Sequence, residues 1–156
     1  PTRDIYYILP DRMMNIFPVV TQFSNIDITD GKQLGEPFFI TSDRFVQDQS
    51  GVHMDNGFSI SPNLLSLEFS GRKFAINTFY ETSYDASGKL AVKELNMDSS
   101  AQFYVVFMRD YGRFLLMDRA MLSSSYVQLF VFERYKSDLF EPVILNPAVK
   151  VYKLKR

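Results

Sequence analysis

A mainly β domain of the α+β type is predicted, with an antiparallel sheet or barrel, a kinked N-terminal helix and a second helix near the C-terminus. Three observations carry this prediction. From Pro37 onward, short apolar runs alternate with turn residues at the spacing of an antiparallel sheet or barrel. The 15 Phe and 9 Tyr, within a composition that is 46% hydrophobic, supply a packed core rather than a disordered chain. Pro18 interrupts an apolar stretch with helical spacing, so a helix there must kink or restart.

The elements follow in order. Ile5-Tyr6-Tyr7-Ile8-Leu9 reads as a strand that ends at Pro10. Asp11 suits a helix N-cap ahead of Met13, Met14, Ile16 and Phe17. Met13 and Ile16 are three apart and share a helix face. Such a pair is either core packing or one wall of a small apolar pocket.

Asp55-Asn56-Gly57, between Val52-His53-Met54 and Phe58-Ser59-Ile60, is a strong hairpin signal, because Asn-Gly supplies the positive φ that tight hairpins need. Ser70-Gly71-Arg72 separates the run Leu64 to Phe69 from Phe74 to Phe79. Asp85-Ala86-Ser87-Gly88 precedes Leu90 to Leu95. Asp110-Tyr111-Gly112 separates Phe103 to Met108 from Phe114 to Met117. Ser123 to Phe132 reads as a helix whose apolar side is Tyr126, Val127, Leu129 and Phe130. Val149 to Leu154 closes as a strand. No repeat, linker or low-complexity tract divides the chain, so residues 1–156 read as a single domain.

Charge and chemistry exclude several classes. Lys plus Arg number 17 and Asp plus Glu 18, for a net charge of −1, which offers no pull toward nucleic acid. The one basic cluster, Lys150, Lys153, Lys155 and Arg156, reads as a solvated terminal strand. With no Cys, disulfides and thiolate metal sites are ruled out. The single histidine, His53, sits beside a hairpin and reads as a surface residue rather than a base or metal ligand. Ser123-Ser124-Ser125 lacks the Gly-x-Ser-x-Gly elbow of an activated serine, and no phosphate-binding glycine loop occurs. Asp27, Asp30, Asp43 and Asp48 lie in turns, where aspartate is expected, and nothing selects a catalytic pair from them. The residues of this chain therefore name no catalytic group, metal ligand or cofactor site. Two classes remain open on this evidence alone: a stand-alone β-rich binding module, and a structural scaffold. No run of 18 or more apolar residues reaches the length of a membrane span.

Ordered segments add a resemblance. The Met13-x-x-Ile16 segment resembles the Met-x-x-Ile motif of the PglB family of single-subunit bacterial oligosaccharyltransferases. Thr2 to Tyr6, Phe114 to Arg119, Met121 to Gln128 and Ala148 to Lys155 resemble segments of that family in the same order; the stretch from Gly31 to Asp98 aligns least well. The family's Trp-Trp-Asp-Tyr-Gly signature is absent: Asp110-Tyr111-Gly112 follows Met108-Arg109, and the chain contains no Trp.

The resemblance implies a piece of a longer membrane enzyme, its C-terminal periplasmic domain, at the periplasmic face of the bacterial inner membrane. The parent would transfer an oligosaccharide from undecaprenyl diphosphate to Asn in Asp/Glu-x-Asn-x-Ser/Thr. It also implies that Met13 and Ile16 flank the pocket for the Ser/Thr of this acceptor sequon. The implied partners are the acceptor protein or peptide and the upstream membrane half of the same chain. The catalytic carboxylates and a divalent metal, Mg or Mn, would belong to that membrane half, so this piece would not be active alone.

Overall fold

A computed structural model describes residues 4–10, 39–98 and 100–155. Two sheets organise them. A small sheet has three strands in the order β1 (Tyr6–Pro10), β12 (Val149–Leu154), β11 (Phe140–Leu145). The large sheet runs β2 (Phe39–Ser42), β10 (Arg113–Met117), β9 (Phe103–Met108), β7 (Arg72–Tyr84), β6 (Ser66–Phe69), β5 (Phe58–Ile60), β4 (Gly51–Met54), β3 (Phe45–Asp48). In addition, β8 (Leu90–Leu95) pairs with β7. Its end strands β2 and β3 are consecutive in the chain, so the sheet curls back on itself as a nearly closed barrel.

The barrel's hairpins form where the turn chemistry places them. Gly57 takes φ +94°, its N–H donates to the Met54 carbonyl at 3.1 Å, and the Asn56 side chain accepts from Phe58 N–H at 3.2 Å. Between β9 and β10, Arg109–Tyr111 forms a single 3₁₀ turn closed by Gly112 in the left-handed region. Asp110-Tyr111-Gly112 is thus a hairpin turn, as its sequence context predicts.

The apolar runs in β9 and β10 are unbroken because both faces of these strands are buried. One face meets Ile40, Phe58, Ile60, Leu67, Ile76 and Phe79 inside the barrel. The other packs Tyr104, Val106, Leu115 and Met117 against Val127, Phe130, Val131 and Phe132. Pairing is antiparallel throughout except between β7 and β9, which run parallel, with a register shift between Ile76 and Thr78.

The helix predicted over Ser123 to Phe132 is shorter than expected, and a separate short helix precedes it. Helix α1 (Arg119–Leu122) is capped by Asp118, whose carboxylate accepts from Met121 N–H at 2.8 Å. A π-helical turn, Val127–Val131, follows and buries Val127, Leu129, Phe130 and Val131. Ser124 separates the two pieces: its hydroxyl donates to the Met121 carbonyl at 2.7 Å and accepts from Val127 N–H at 3.3 Å. Side-chain competition of this kind breaks a continuous helical ladder. The kinked helix expected around Pro18 lies outside the described residues, as do Met13 and Ile16. No described helix is long and apolar enough to cross a membrane.

Candidate functional site

Met13 and Ile16 lie outside the described residues, and the chain is described on either side of their segment. Strand β1 carries the backbone to Pro10, paired opposite Val149 of β12. Strand β2 resumes the described chain at Phe39, paired opposite Met117 at the end of β10. The described chain therefore stops at Pro10 in the small sheet and resumes at Phe39 beside β10 of the barrel.

The small sheet and the barrel share no strand pairing. They are joined by side chains, at a place where the sequence suggests only solvent. Lys150 is 1% exposed, so the expectation that the terminal basic cluster is solvated fails at its first member. Strand alternation is the reason. Lys150 and Tyr152 share the face of β12 that lies against the π-turn, while Val151 and Lys153 point the other way.

The Lys150 ammonium lies 3.0 Å from Oε2 of Glu133 and donates to the Phe130 carbonyl. It also sits 5.4 Å from the ring centroid of Tyr84 and 5.2 Å from that of Phe130. The Tyr84 hydroxyl, from the end of β7, donates to the same Glu133 oxygen. Tyr152 donates to the Leu129 carbonyl at 2.6 Å. Burial lowers the Lys150 pKa from its ordinary value, against the opposing pull of Glu133. Burial also raises Tyr84, with the Glu133 hydrogen bond adding to the rise, and burial raises Tyr152. Lys150 and Tyr84 meet at Glu133 from strands distant in sequence, so no local motif announces the cluster.

A polar ladder lies on the barrel surface. His53 Nε2 is 2.7 Å from Ser50 Oγ and 3.2 Å from Asp48 Oδ1, and Nδ1 is 3.2 Å from Ser59 Oγ. Hydrogen bonds from Ser50, then the His53 contact, hold the Asp48 carboxyl below its ordinary range. A cleft of about 380 Å³ adjoins this ladder. In an activated serine triad the carboxylate and the nucleophile take opposite ring nitrogens. Ser50 shares Nε2 with Asp48, and Ser59 is a paired residue of β5 opposite His53 rather than an exposed elbow. The ladder reads as cross-strand pairing, in keeping with the surface reading of His53.

A second cleft of about 450 Å³ lies beside the π-turn, walled by Leu129, Tyr135, Leu139 and Phe140 and rimmed by Arg134 and Lys136. Arg134 is occupied by Glu94 at 3.5 Å and by the Phe132 ring at 4.8 Å. Among the described residues, no three His, Cys, Asp or Glu side chains converge to hold a metal.

Comparison with known proteins gives concordant results. The family model described as the STT3/PglB C-terminal β-barrel domain matches residues 38–117, and that of the STT3/PglB/AglB core domain matches residues 1–30. The chain is 33% identical over 159 aligned residues to the undecaprenyl-diphosphooligosaccharide–protein glycotransferase of Campylobacter jejuni subsp. jejuni serotype O:2, and equally to that of strain RM1221. Each alignment covers 99% of this chain and 22% of the relative, so the chain spans about a fifth of the length of these curated relatives. The crystal structure of the C. jejuni PglB C-terminal domain superposes with a TM-score of 0.77 at 29% identity, covering all of this chain and 57% of that one.

Proposed function

Because the chain belongs to the STT3/PglB family through its C-terminal β-barrel domain, we propose that it forms the acceptor-recognising part of a membrane oligosaccharyltransferase. The observation that carries this reading is the 33% identity, sustained over 99% of the chain, to proteins named as undecaprenyl-diphosphooligosaccharide–protein glycotransferases. In the proposed reaction the glycosidic bond to the diphosphate breaks, and a bond forms to the Asn amide nitrogen. Undecaprenyl diphosphate leaves and the amide loses a proton. The catalytic carboxylates and their divalent metal, Mg or Mn, belong to the membrane half in this proposal.

The share of this chain is specificity. Met13 and Ile16 form an apolar wall for the residue two places after Asn in Asp/Glu-x-Asn-x-Ser/Thr. Burying the one methyl that distinguishes Thr from Ser is worth about 0.8 kcal/mol, or roughly fourfold in affinity. The wall therefore favours Thr without excluding Ser. An apolar wall cannot read the hydroxyl itself, so hydroxyl recognition comes from polar groups elsewhere. The domain works at the periplasmic face of the inner membrane, joined to the membrane half of the same polypeptide, with acceptor proteins as partners.

Reconstitution tests the reading. The full-length protein is incubated with lipid-linked oligosaccharide, divalent metal and a peptide bearing Asp-x-Asn-x-Thr. Glycopeptide forms, and an otherwise identical peptide with Gln for Asn yields none. Failure to glycosylate the Asn peptide, with lipid donor and metal both supplied, overturns the proposal.

A further inference from the structure

We propose that the cleft on the outer face of β4 to β7 binds a neutral sugar, held between the carboxylate of Glu68 and the ammonium of Lys73. The inference stands on barrel residues alone and does not depend on the acceptor role of Met13 and Ile16.

Strand register builds the cleft. His53 pairs opposite Ser59, Ser59 opposite Glu68, and Glu68 opposite Lys73, so one polar row crosses four neighbouring strands. Their sequence neighbours Val52, Phe58, Ile60, Leu67 and Phe74 are buried in the barrel core, and strand alternation turns the polar row outward. Successive strands lie about 4.8 Å apart, which spaces the polar groups at intervals comparable with hydroxyls across a pyranose ring. The cleft over this row holds about 380 Å³, at the lower end of small-molecule pockets, and Pro62 gives it an apolar edge.

The His53 ladder at one end decides which groups offer protons and which offer lone pairs. Ser50 gives its one hydroxyl proton to Asp48 Oδ1 at 2.6 Å. His53 Nε2 therefore carries a proton, which it donates to Ser50 Oγ at 2.7 Å. In the neutral ring Nδ1 is then the acceptor for the Ser59 hydroxyl at 3.2 Å. Ser59 is left with lone pairs and acts in the cleft as an acceptor. Ser61 fixes the rim, donating to Asn63 Oδ1 at 2.7 Å and accepting from Ser66 N–H at 3.0 Å.

Glu68 and Lys73 are the uncommitted pair. They lie opposite each other, yet no ion pair joins them, and neither side chain has a hydrogen-bond partner among the described residues. Their charges cancel, so the lining favours neither an anion nor a cation. A carboxylate accepts from two neighbouring hydroxyls at once, and an ammonium donates three ways. A sugar presents such neighbouring hydroxyls, each both donor and acceptor. No aromatic ring lines the cleft, so hydrogen bonds set the affinity, in the millimolar range.

The test uses the full-length protein in phosphatidylcholine nanodiscs, with neither lipid-linked donor nor acceptor peptide present. Saturation-transfer NMR follows lactose and N,N′-diacetylchitobiose as probes, with inorganic phosphate added as a charged competitor. At least one disaccharide gives a saturable signal that equimolar phosphate does not displace. Glu68→Gln, which keeps the side-chain shape, weakens binding about tenfold, the value of one charge-assisted hydrogen bond. Lys73→Met weakens it comparably, and Lys89→Met, outside the cleft, leaves it unchanged. Thermal unfolding confirms that these exposed substitutions preserve the fold, and either cleft variant serves alone if the other unfolds. No signal from either disaccharide overturns the proposal. A signal that persists at full strength in a folded Glu68→Gln or Lys73→Met protein arises elsewhere and overturns it equally. Displacement by phosphate makes the cleft an anion site and refutes the neutral-sugar assignment.

Discussion

Gly51 and Gly71 both hold positive φ, at +122° and +77°, yet replacing each by Ala separates backbone strain from steric conflict. At Gly71 an added Cβ meets nothing within 4 Å. Its cost is that of placing an L-residue in the left-handed region, about 1–2 kcal/mol. At Gly51 the Cβ is driven into the carbonyl oxygen of Ile60, with the carbonyl carbon at 3.1 Å and Pro62 N at 3.3 Å. These are backbone atoms beside the β4–β5 pairing, where Val52 lies opposite Ile60, and they cannot swing away as a side chain would. The substitution must open that ladder, which adds the loss of one or two hydrogen bonds and of local packing, for a total of about 3–5 kcal/mol. In a chain of this size 1 kcal/mol moves Tm by about 2–4 °C. Gly71→Ala therefore lowers Tm by about 2–8 °C and Gly51→Ala by about 6–20 °C. Thermal unfolding followed by circular dichroism, with urea unfolding as a cross-check, measures both. Equal shifts for the two variants would refute the steric reasoning and with it the close approach of β4 to β5.

Leu115→Ala, at a site with 0% exposure in a strand buried on both faces, costs about 2–5 kcal/mol in urea unfolding; a loss below 1 kcal/mol would contradict the two-sided packing of β10. Alkaline stability is a second readout. Tyr84 and Tyr152 are raised above the ordinary 10.0, so the unfolded chain sheds their protons near pH 10 while the folded chain keeps them. Their contribution is complete below pH 10 and is lost as pH climbs past it. Lys150, lowered by burial, acts oppositely only below its ordinary 10.5. Unfolding free energy accordingly declines above pH 10, and Tyr152→Phe declines less steeply; matching slopes would remove the buried tyrosine from the account. The 156-residue chain alone, given lipid-linked oligosaccharide, metal and acceptor peptide, forms no glycopeptide above a no-protein control, and product there would place catalytic groups within this domain.

Much of the barrel is legible in the sequence because its signals are local. The runs Leu90 to Leu95, Phe103 to Met108 and Val149 to Leu154 are strands with those bounds; turn residues bracket the first two, and Asn146-Pro147 precede the third. Strand β7 extends to Tyr84, beyond its apolar run, because Glu81 and Ser83 ride on partner strands rather than on an apolar pattern. Strand β11 escapes notice: Glu141 and Pro142 disturb its alternation, and a register shift between Pro142 and Ile144 breaks the period of two. The parallel pairing of β7 with β9 is set by tertiary packing and leaves no local mark. Lys150 shows the same limit. Among neighbouring lysines it looks solvated, and only the pairing of β12 inside the small sheet turns it toward Glu133. The proposed acceptor residues rest on a four-residue motif whose spacing a family resemblance makes meaningful, because two apolar side chains on a helix face do not by themselves tell pocket from core.

The most direct test of the acceptor role is the Thr/Ser preference of the full-length protein with Ile16→Ala, measured as the ratio of kcat/KM for paired peptides that differ only at that position. If Ile16 contacts the threonine methyl, the variant loses more activity toward Thr than toward Ser, and the ratio falls about threefold to fivefold, the value of one buried methyl. Met13→Ala lowers it by less. A variant that unfolds, or one that slows both peptides by the same factor, would show Ile16 to be ordinary core and would contradict the acceptor role.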